Sequence, residues 1–270
     1  MIRGMIIAAA ALLLAVPAAA QEKPEPPVTD FNRKAEVKVD PASGYIYFDM
    51  RYAMGLWLVR MPTPAEVAER EAQRAEARTK HSGRNLVLAL REIDWASRQK
   101  RMVSNGNRNF MPVVKDAEGK SWSGILIKLP PGRYVIAGYG AETYMHPSMC
   151  FCLGTVMFDA VPGKIVDLGR VYSHAQENGW SLVARPRTID GLTSGRNLNS
   201  LYIAPRATPV VLPRIGGAEV IPAEFQAVGR ITNALNSEID RVTPIQGVIR
   251  YEPGKIIDAR TNQPVPPLDL

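Results

Sequence analysis

From residue 44 onward, apolar and polar positions alternate over short runs. GYIYFDM (44–50) and MGLWLVRM (54–61) carry aromatic and branched residues at the density of strands. NLVLALREID (85–94) sets Leu86, Leu88 and Leu90 on one face of an extended segment, and SGILIKLP (123–130) does the same with Ile125, Ile127 and Leu129. RYVIAGYG, CLGTVMFDA, KIVDLGRVY and WSLVAR follow at short intervals. Turn clusters lie between them: Asn105-Gly106-Asn107, residues 116–119, Pro131-Gly132 and Pro162-Gly163. Many short strands without alternating helices predict an all-β fold, here an antiparallel β-sandwich.

One segment has the helical period instead. Thr63 is a helix N-cap, Pro64 fits the first helical position and Glu66 completes a Thr-x-x-Glu capping box, so a helix is predicted over about 64–80, with Gly83 as its C-cap. Glu66 with Arg70 and Glu76 with Lys80 are spaced for favourable pairs, each contributing on the order of 0.3 kcal/mol. The continuous stripe Ala65, Ala68, Ala72 and Ala75 is small and buries little, which reads as a surface insertion. The alternative is an alanine face that docks a partner helix.

Three segments share the form Pro-Gly-basic before strand residues: Pro131-Gly132-Arg133, Pro162-Gly163-Lys164 and Pro253-Gly254-Lys255. Proline presets the first turn angle and glycine accepts the positive φ that follows, so each predicts a type II turn launching a strand. After Arg185 prolines and glycines multiply, and runs such as LYIAP and TPVVLP suggest residues 186–270 form a C-terminal segment lying along the sandwich or a small β subdomain. AEFQAVGRITNA (223–234) fits a short helix, weakened by Gly229. The sandwich proper is assigned to 44–185.

The chain opens with MIRGMIIAAAALLLAVPAAAQ, in which Arg3 forms a short positive region, an apolar stretch follows, and Ala18-Ala19-Ala20 marks a cleavage site. Residues 1–20 are therefore expected to be a signal peptide, leaving no transmembrane anchor and a periplasmic or secreted protein; 21–43, rich in proline and charge, is expected to be a linker. Composition is that of a globular protein, 46% apolar and 22% charged. The net charge of +7 becomes +6 without Arg3 and is spread along the sequence, which argues against nucleic acid. Other envelope components or an anionic polysaccharide are the expected partners.

The combination Leu129-x-Pro131-Gly132-x-Tyr134, then Phe158-x-x-x-Pro162-Gly163-Lys164-x-x-x-Leu168-Gly169, resembles β-sandwich modules of proteobacterial envelope proteins and lipoproteins, and the accessory transthyretin-like or carboxypeptidase-regulatory modules. The resemblance covers residues 120–172. It implies a binding or structural module in the envelope and brings no catalytic residues with it.

Chemistry concentrates in residues 145–152, MHPSMCFC, which hold both cysteines, one of three histidines and two methionines. His146, Met149, Cys150 and Cys152 are ligand types that soft copper prefers, with His81 and His174 as the remaining histidines to complete a site. In an exported chain the pair otherwise reads as a disulfide. Cysteines two apart in a regular strand have Cα atoms about 6.6 Å apart and Cβ atoms too distant for a bridge, so a disulfide requires a bend at Phe151. A strained disulfide, two unbridged buried thiols and a metal site all remain open. No G-x-S-x-G, H-E-x-x-H, P-loop or paired Cys-x-x-Cys occurs, so a hydrolase would need a site invisible in sequence. Two loops combine arginine with amides suited to sugar hydroxyls or carboxylates: Asn105, Asn107 and Arg108 in one, Arg196 and Asn197 in the other. The reading is a non-catalytic exported binding or structural module without a cofactor; the alternatives are a copper-handling protein and a hydrolase.

Overall fold

The computed structural model describes residues 37–50, 54–103, 108–115, 119, 121–141, 149–173, 188–189, 192–193, 201–212, 215, 218–232 and 237–270. The fold is β-rich, with two sheets face to face. In the first, the order is β12 (Leu201–Ala204), β9 (Ile165–Ser173), β1 (Gly44–Met50), β5 (Ser121–Leu129) and β4 (Arg108–Lys115), and β13 (Val220–Pro222) also pairs with β9. In the second, the order is β14 (Gln226–Val228), β8 (Thr155–Ala160), β6 (Gly132–Ala141), β2 (Met54–Arg60) and β3 (Met102–Val103); β7 (Met149–Cys150) pairs with β6, and β15 (Glu238–Ile239) with β7. Two smaller sheets are built from β10 (Thr188–Ile189) with β11 (Leu192–Thr193), and from β16 (Ile249–Glu252), β17 (Lys255–Asp258) and β18 (Gln263–Pro264).

Most pairings are antiparallel, but the centre of the first sheet is not. β1 runs parallel to β9, and β13 also joins β9 in parallel. Parallel strands are stable where both faces are covered. Every residue of β1 is buried: Ile46, Phe48 and Met50 enter the core between the sheets, while Tyr45 and Tyr47 join a second cluster on the outer face. That outer cluster is covered by Val210, Leu212, Ile215, Ala218 and Val220. The outer face of the second sheet is covered likewise, with Val59, Val135 and Ala137 packed under Ile231, Trp95, Leu268 and Leu270. Residues after 200 thus contribute strands to both sheets and cover to both outer faces.

The helix expected over 64–80 is α1 (Pro64–Lys80), with both bonds of the Thr63–Glu66 capping box present. Its alanine stripe, Ala65, Ala68, Ala72 and Ala75, is exposed to solvent. Three local expectations are corrected. The segment 85–94 is not a strand but the core of a second helix, α2 (Gly83–Gln99), which packs on α1 as a hairpin. A short apolar run reads equally as strand or helix, and here Leu86, Leu90, Ile93 and Ser97 form the half-buried helical stripe while Leu88 is left 44% exposed. Helix-favouring Leu, Ala, Arg, Glu and Gln decide the outcome. Gly83 accordingly opens α2 rather than capping α1, whose C-cap is His81. The helix fitted to 223–234 is also absent: residues 226–228 pair with β8, and Gly229 lies against the Pro266 carbonyl, where no side chain fits.

Two of the three Pro-Gly turns have the expected glycine conformation, with φ of +68° and +73° at Gly163 and Gly254, whereas Gly132, at φ +142°, departs from the type II value and already belongs to β6. Gly169 has a different task. The register of β1 on β9 shifts between Tyr47↔Asp167 and Asp49↔Arg170, a bulge in which Gly169 takes φ +87°. Leu168 and Val171 consequently both face the core, while Asp167, Arg170 and Tyr172 share the outer surface despite their odd spacing.

A Cβ at position 169 would overlap the Ala204 carbonyl and approach Pro205 Cα to 2.9 Å. Gly169→Ala is expected to lower stability by about 2 kcal/mol or more, combining left-handed strain with that collision. Gly247→Ala, at φ +72° with open space around it, should lose clearly less. Urea midpoints compare the two; equal losses would show that the bulge does not need glycine.

Candidate functional site

The bulge in β9 gathers the buried charges of the first sheet. Asp49 and Asp167 occupy alternating outer positions on neighbouring strands and are 4% and 1% exposed. Arg206, on the chain leaving β12, reaches over both: its guanidinium is bonded to Asp49 Oδ2 and donates to Asp167 Oδ1 at 2.7 Å. Asp167 accepts two further bonds, from Gly169 N at 2.8 Å and Val210 N at 3.0 Å. The Tyr47 hydroxyl donates to the other oxygen of Asp49. Burial, and then that bond to an anion, push the Tyr47 phenol far above its usual range, so it stays protonated and serves as a donor. The cluster is a closed electrostatic network in which each charge has a partner. It fixes the covering segment and leaves neither carboxylate of the pair poised as a free base.

Beside it the same face carries aromatic rings. Arg170 lies 4.8 Å above the Trp122 ring, Trp122 meets Tyr172 edge-on at 5.8 Å, and Tyr172 stacks on Tyr202 at 5.1 Å. Trp122 on β5 is 6% exposed and forms a floor, whereas Tyr172 on β9 and Tyr202 on β12 are half-buried and the Arg170 side chain is 35% exposed. Tyr172 and Tyr202 are directly opposite on the paired strands β9 and β12, where outer side chains are neighbours, and Trp122 reaches them from β5, one strand beyond β1 in the same sheet. Aromatic faces with a guanidinium between them offer stacking and a bidentate donor to a planar or anionic ligand.

The structure places the sequence-derived candidates differently. Cys150 and Cys152 form a disulfide with Cα atoms 5.2 Å apart, shorter than a regular strand allows. The bend expected at Phe151 is present: Phe151 N donates to Ala137 O, the strand ends, and Gly154 N returns to Phe151 O. Cys152 O accepts from Ile231 N, and Cys150 O from Asp240 N, so the bridged bend ties β6 to two later segments. Both residues are buried, with Met149 beside them. Joined to each other, the sulfurs are not thiolates, and no cluster of three metal-ligating His, Cys, Asp or Glu side chains occurs among the described residues. His146, His174, Asn105, Asn107, Arg196 and Asn197 lie outside the described residues; Arg108 begins β4. His81 caps α1 on the helical hairpin.

Sequence reasoning did not single out Asp49, Asp167, Arg206 or the row of Trp122, Arg170, Tyr172 and Tyr202. The available signal was an aspartate inside each of two apolar runs, YIYFDM and KIVDLG, because a carboxylate within a buried strand requires a cation elsewhere in the chain.

Two outcomes are expected. Arg206→Met should destabilise the protein by about 3–5 kcal/mol, since it leaves two buried carboxylates unpaired, and adding Asp49→Asn with Asp167→Asn should recover most of that loss; chemical denaturation of the single and triple variants decides it. The native oxidised protein should contain no titratable thiol, and replacing both cysteines by serine should reduce stability by about 1–3 kcal/mol, chiefly by burying two hydroxyls. Free thiol in the native state, or stoichiometric Cu(I) uptake by that state, would contradict the structural assignment.

Compared with protein-family models, curated proteins and solved structures, the chain matches none.

Proposed function

We propose that this chain is a non-catalytic, exported β-sandwich binding module of the bacterial envelope, and that its ligand is an acidic polysaccharide. The observation that carries the reading is the row of Trp122, Arg170, Tyr172 and Tyr202 on the outer face of the first sheet. Sugar rings present apolar C–H faces that stack on tyrosine, and uronic acids present carboxylates that a guanidinium binds in a bidentate manner. Tyr172 and Tyr202 sit on the paired strands β9 and β12 and Trp122 on β5 of the same sheet, so regular structure holds the row before a ligand arrives and little ordering cost opposes binding. The apolar N-terminal segment with its alanine cleavage site, the positive net charge and the disulfide all accord with an envelope location. The neighbouring aspartates are committed to Arg206 and Tyr47, which favours recognition over acid–base chemistry.

Titration of the protein with a soluble polyuronate and with a neutral glucan tests the reading. Saturable binding of the polyuronate is expected, weakening with added salt. Tyr202→Ala and Arg170→Gln should each weaken it about tenfold, the loss of one stacked ring or one charged hydrogen bond. Val211→Ala, at a side chain 86% exposed on the covering segment, should leave it unchanged. Equal affinity for both polymers, or no binding of either, would remove the acidic polysaccharide as ligand.

A further inference from the structure

The helical hairpin holds a second concentration of charge, remote from the aromatic row. Among the described residues, every buried side-chain nitrogen or oxygen without a hydrogen-bond partner is a guanidinium nitrogen of this hairpin or the turn after it: Arg70 Nε, Arg74 Nε, one terminal nitrogen of Arg98 and one of Arg101. Arg98 and Arg101 are each 3% exposed. Their remaining nitrogens are fixed by main-chain oxygens. Arg98 donates twice to Leu270 O, at 3.2 and 3.0 Å, and Arg101 donates to Ser97 O at 3.1 Å and to Arg60 O at 2.7 Å. These side chains therefore cannot swing out to water without breaking bonds that fasten the hairpin to the sandwich. Burial lowers the proton affinity of both guanidinium groups, but arginine remains charged at any relevant pH.

A buried donor without an acceptor costs about 1–3 kcal/mol, and more when charged. Four in one hairpin call for acceptors. The carboxylates nearby are already engaged: Glu66 with Arg60 and the Thr63 N–H, Glu69 with Lys100 and Gln73, Glu71 with Arg74 and, at 3.6 Å and beyond hydrogen-bond distance, with Arg70 Nε, Asp94 with Arg74, and Asp269 with Arg70. The Thr63 N–H foremost, with Arg60, holds the Glu66 carboxyl down at about 2, so it remains an anion committed to its cap.

Between the helices lies a cleft of about 130 Å³ lined by Glu66, Glu69, Arg70, Gln73, Ala96, Ser97, Lys100 and Arg101. One water needs only about 10–15 Å³ of such space, so the cleft has room for a polyatomic group. Its lining brings three cations against two carboxylates. Two of the four unsatisfied guanidinium groups, those of Arg70 and Arg101, belong to its wall.

We propose that this cleft binds a small oxyanion, a phosphate or the carboxylate of a larger molecule, through Arg70, Lys100 and Arg101. Its wall supplies surplus charged donors, which suits an acceptor-only anion: a neutral oxygen would accept a bond without matching the charge, and a cation would accept none. Because α2 and the residues after it also contact Leu270 and Arg60, occupancy would stiffen the joint between hairpin and sandwich.

Calorimetric titration with inorganic phosphate, and separately with glucuronate, at constant ionic strength tests the proposal and distinguishes the two oxyanion sources. Saturable binding of either at millimolar concentration is expected. Lys100→Ala, at a side chain 67% exposed and therefore safe for folding, should weaken it about tenfold, as the loss of one charged hydrogen bond does. Arg101→Lys should weaken it further if that variant folds, and Tyr202→Ala should have no effect, which separates this site from the aromatic row. No saturable binding of either anion, or an affinity unchanged by Lys100→Ala, would overturn the proposal whatever the fate of the arginine variant.

Discussion

The fold depends on covering a parallel strand pair. β1 and β9 lie side by side at the centre of the first sheet, and both of their faces must be shielded from water. The second sheet shields one. The other is shielded by Val210, Leu212, Ile215, Ala218 and Val220, a cover that β13 ties to β9 at its far end. Arg206 supplies the attachment at its near end, bonded to Asp49 on one strand and Asp167 on the other. Such a network adds little net stability over an apolar replacement, because removing three charges from water is costly. What it contributes is position: a guanidinium fork accepts only one arrangement of two carboxylates, whereas a purely apolar cover could slide along the sheet.

The same bulge that creates this attachment creates the aromatic row. Without Gly169 the two-residue period of a strand would send Asp167 and Arg170 to opposite faces. One left-handed residue therefore determines both how the cover is held and what the surface beside it presents.

How legible this was varied with the range of the interactions. Local signals were read well: the Thr63–Glu66 capping box placed α1 within its observed bounds, and two of the three Pro-Gly pairs, at Gly163 and Gly254, marked turns that the structure contains. α2 was misread because alternating leucines satisfy both periods, and only the neighbouring α1 decides which of them is covered. The disulfide was among the readings left open, since its geometry depends on a bend that Ala137, Ile231 and Asp240 hold from elsewhere in the chain. The charge network was invisible for a similar reason. Asp49 announces a need for a cation, but nothing local says that Arg206, 157 residues later, will meet it.

That separation has a kinetic meaning. Contacts completing the two faces join early elements to late segments: Asp49 of β1 to Arg206 across 157 residues and Arg98 of α2 to Leu270 across 172. Closing loops of this length comes late, and folds dominated by distant contacts form slowly. A chain of this kind emerging one end first has its central strands available long before anything can cover them. Under the proposed export, slow closure of these loops would suit passage across a membrane as an extended polymer. It also leaves the apolar flanks of β1 and β9 exposed during the wait, so the interval between emergence and closure is when the molecule most needs protection from aggregation.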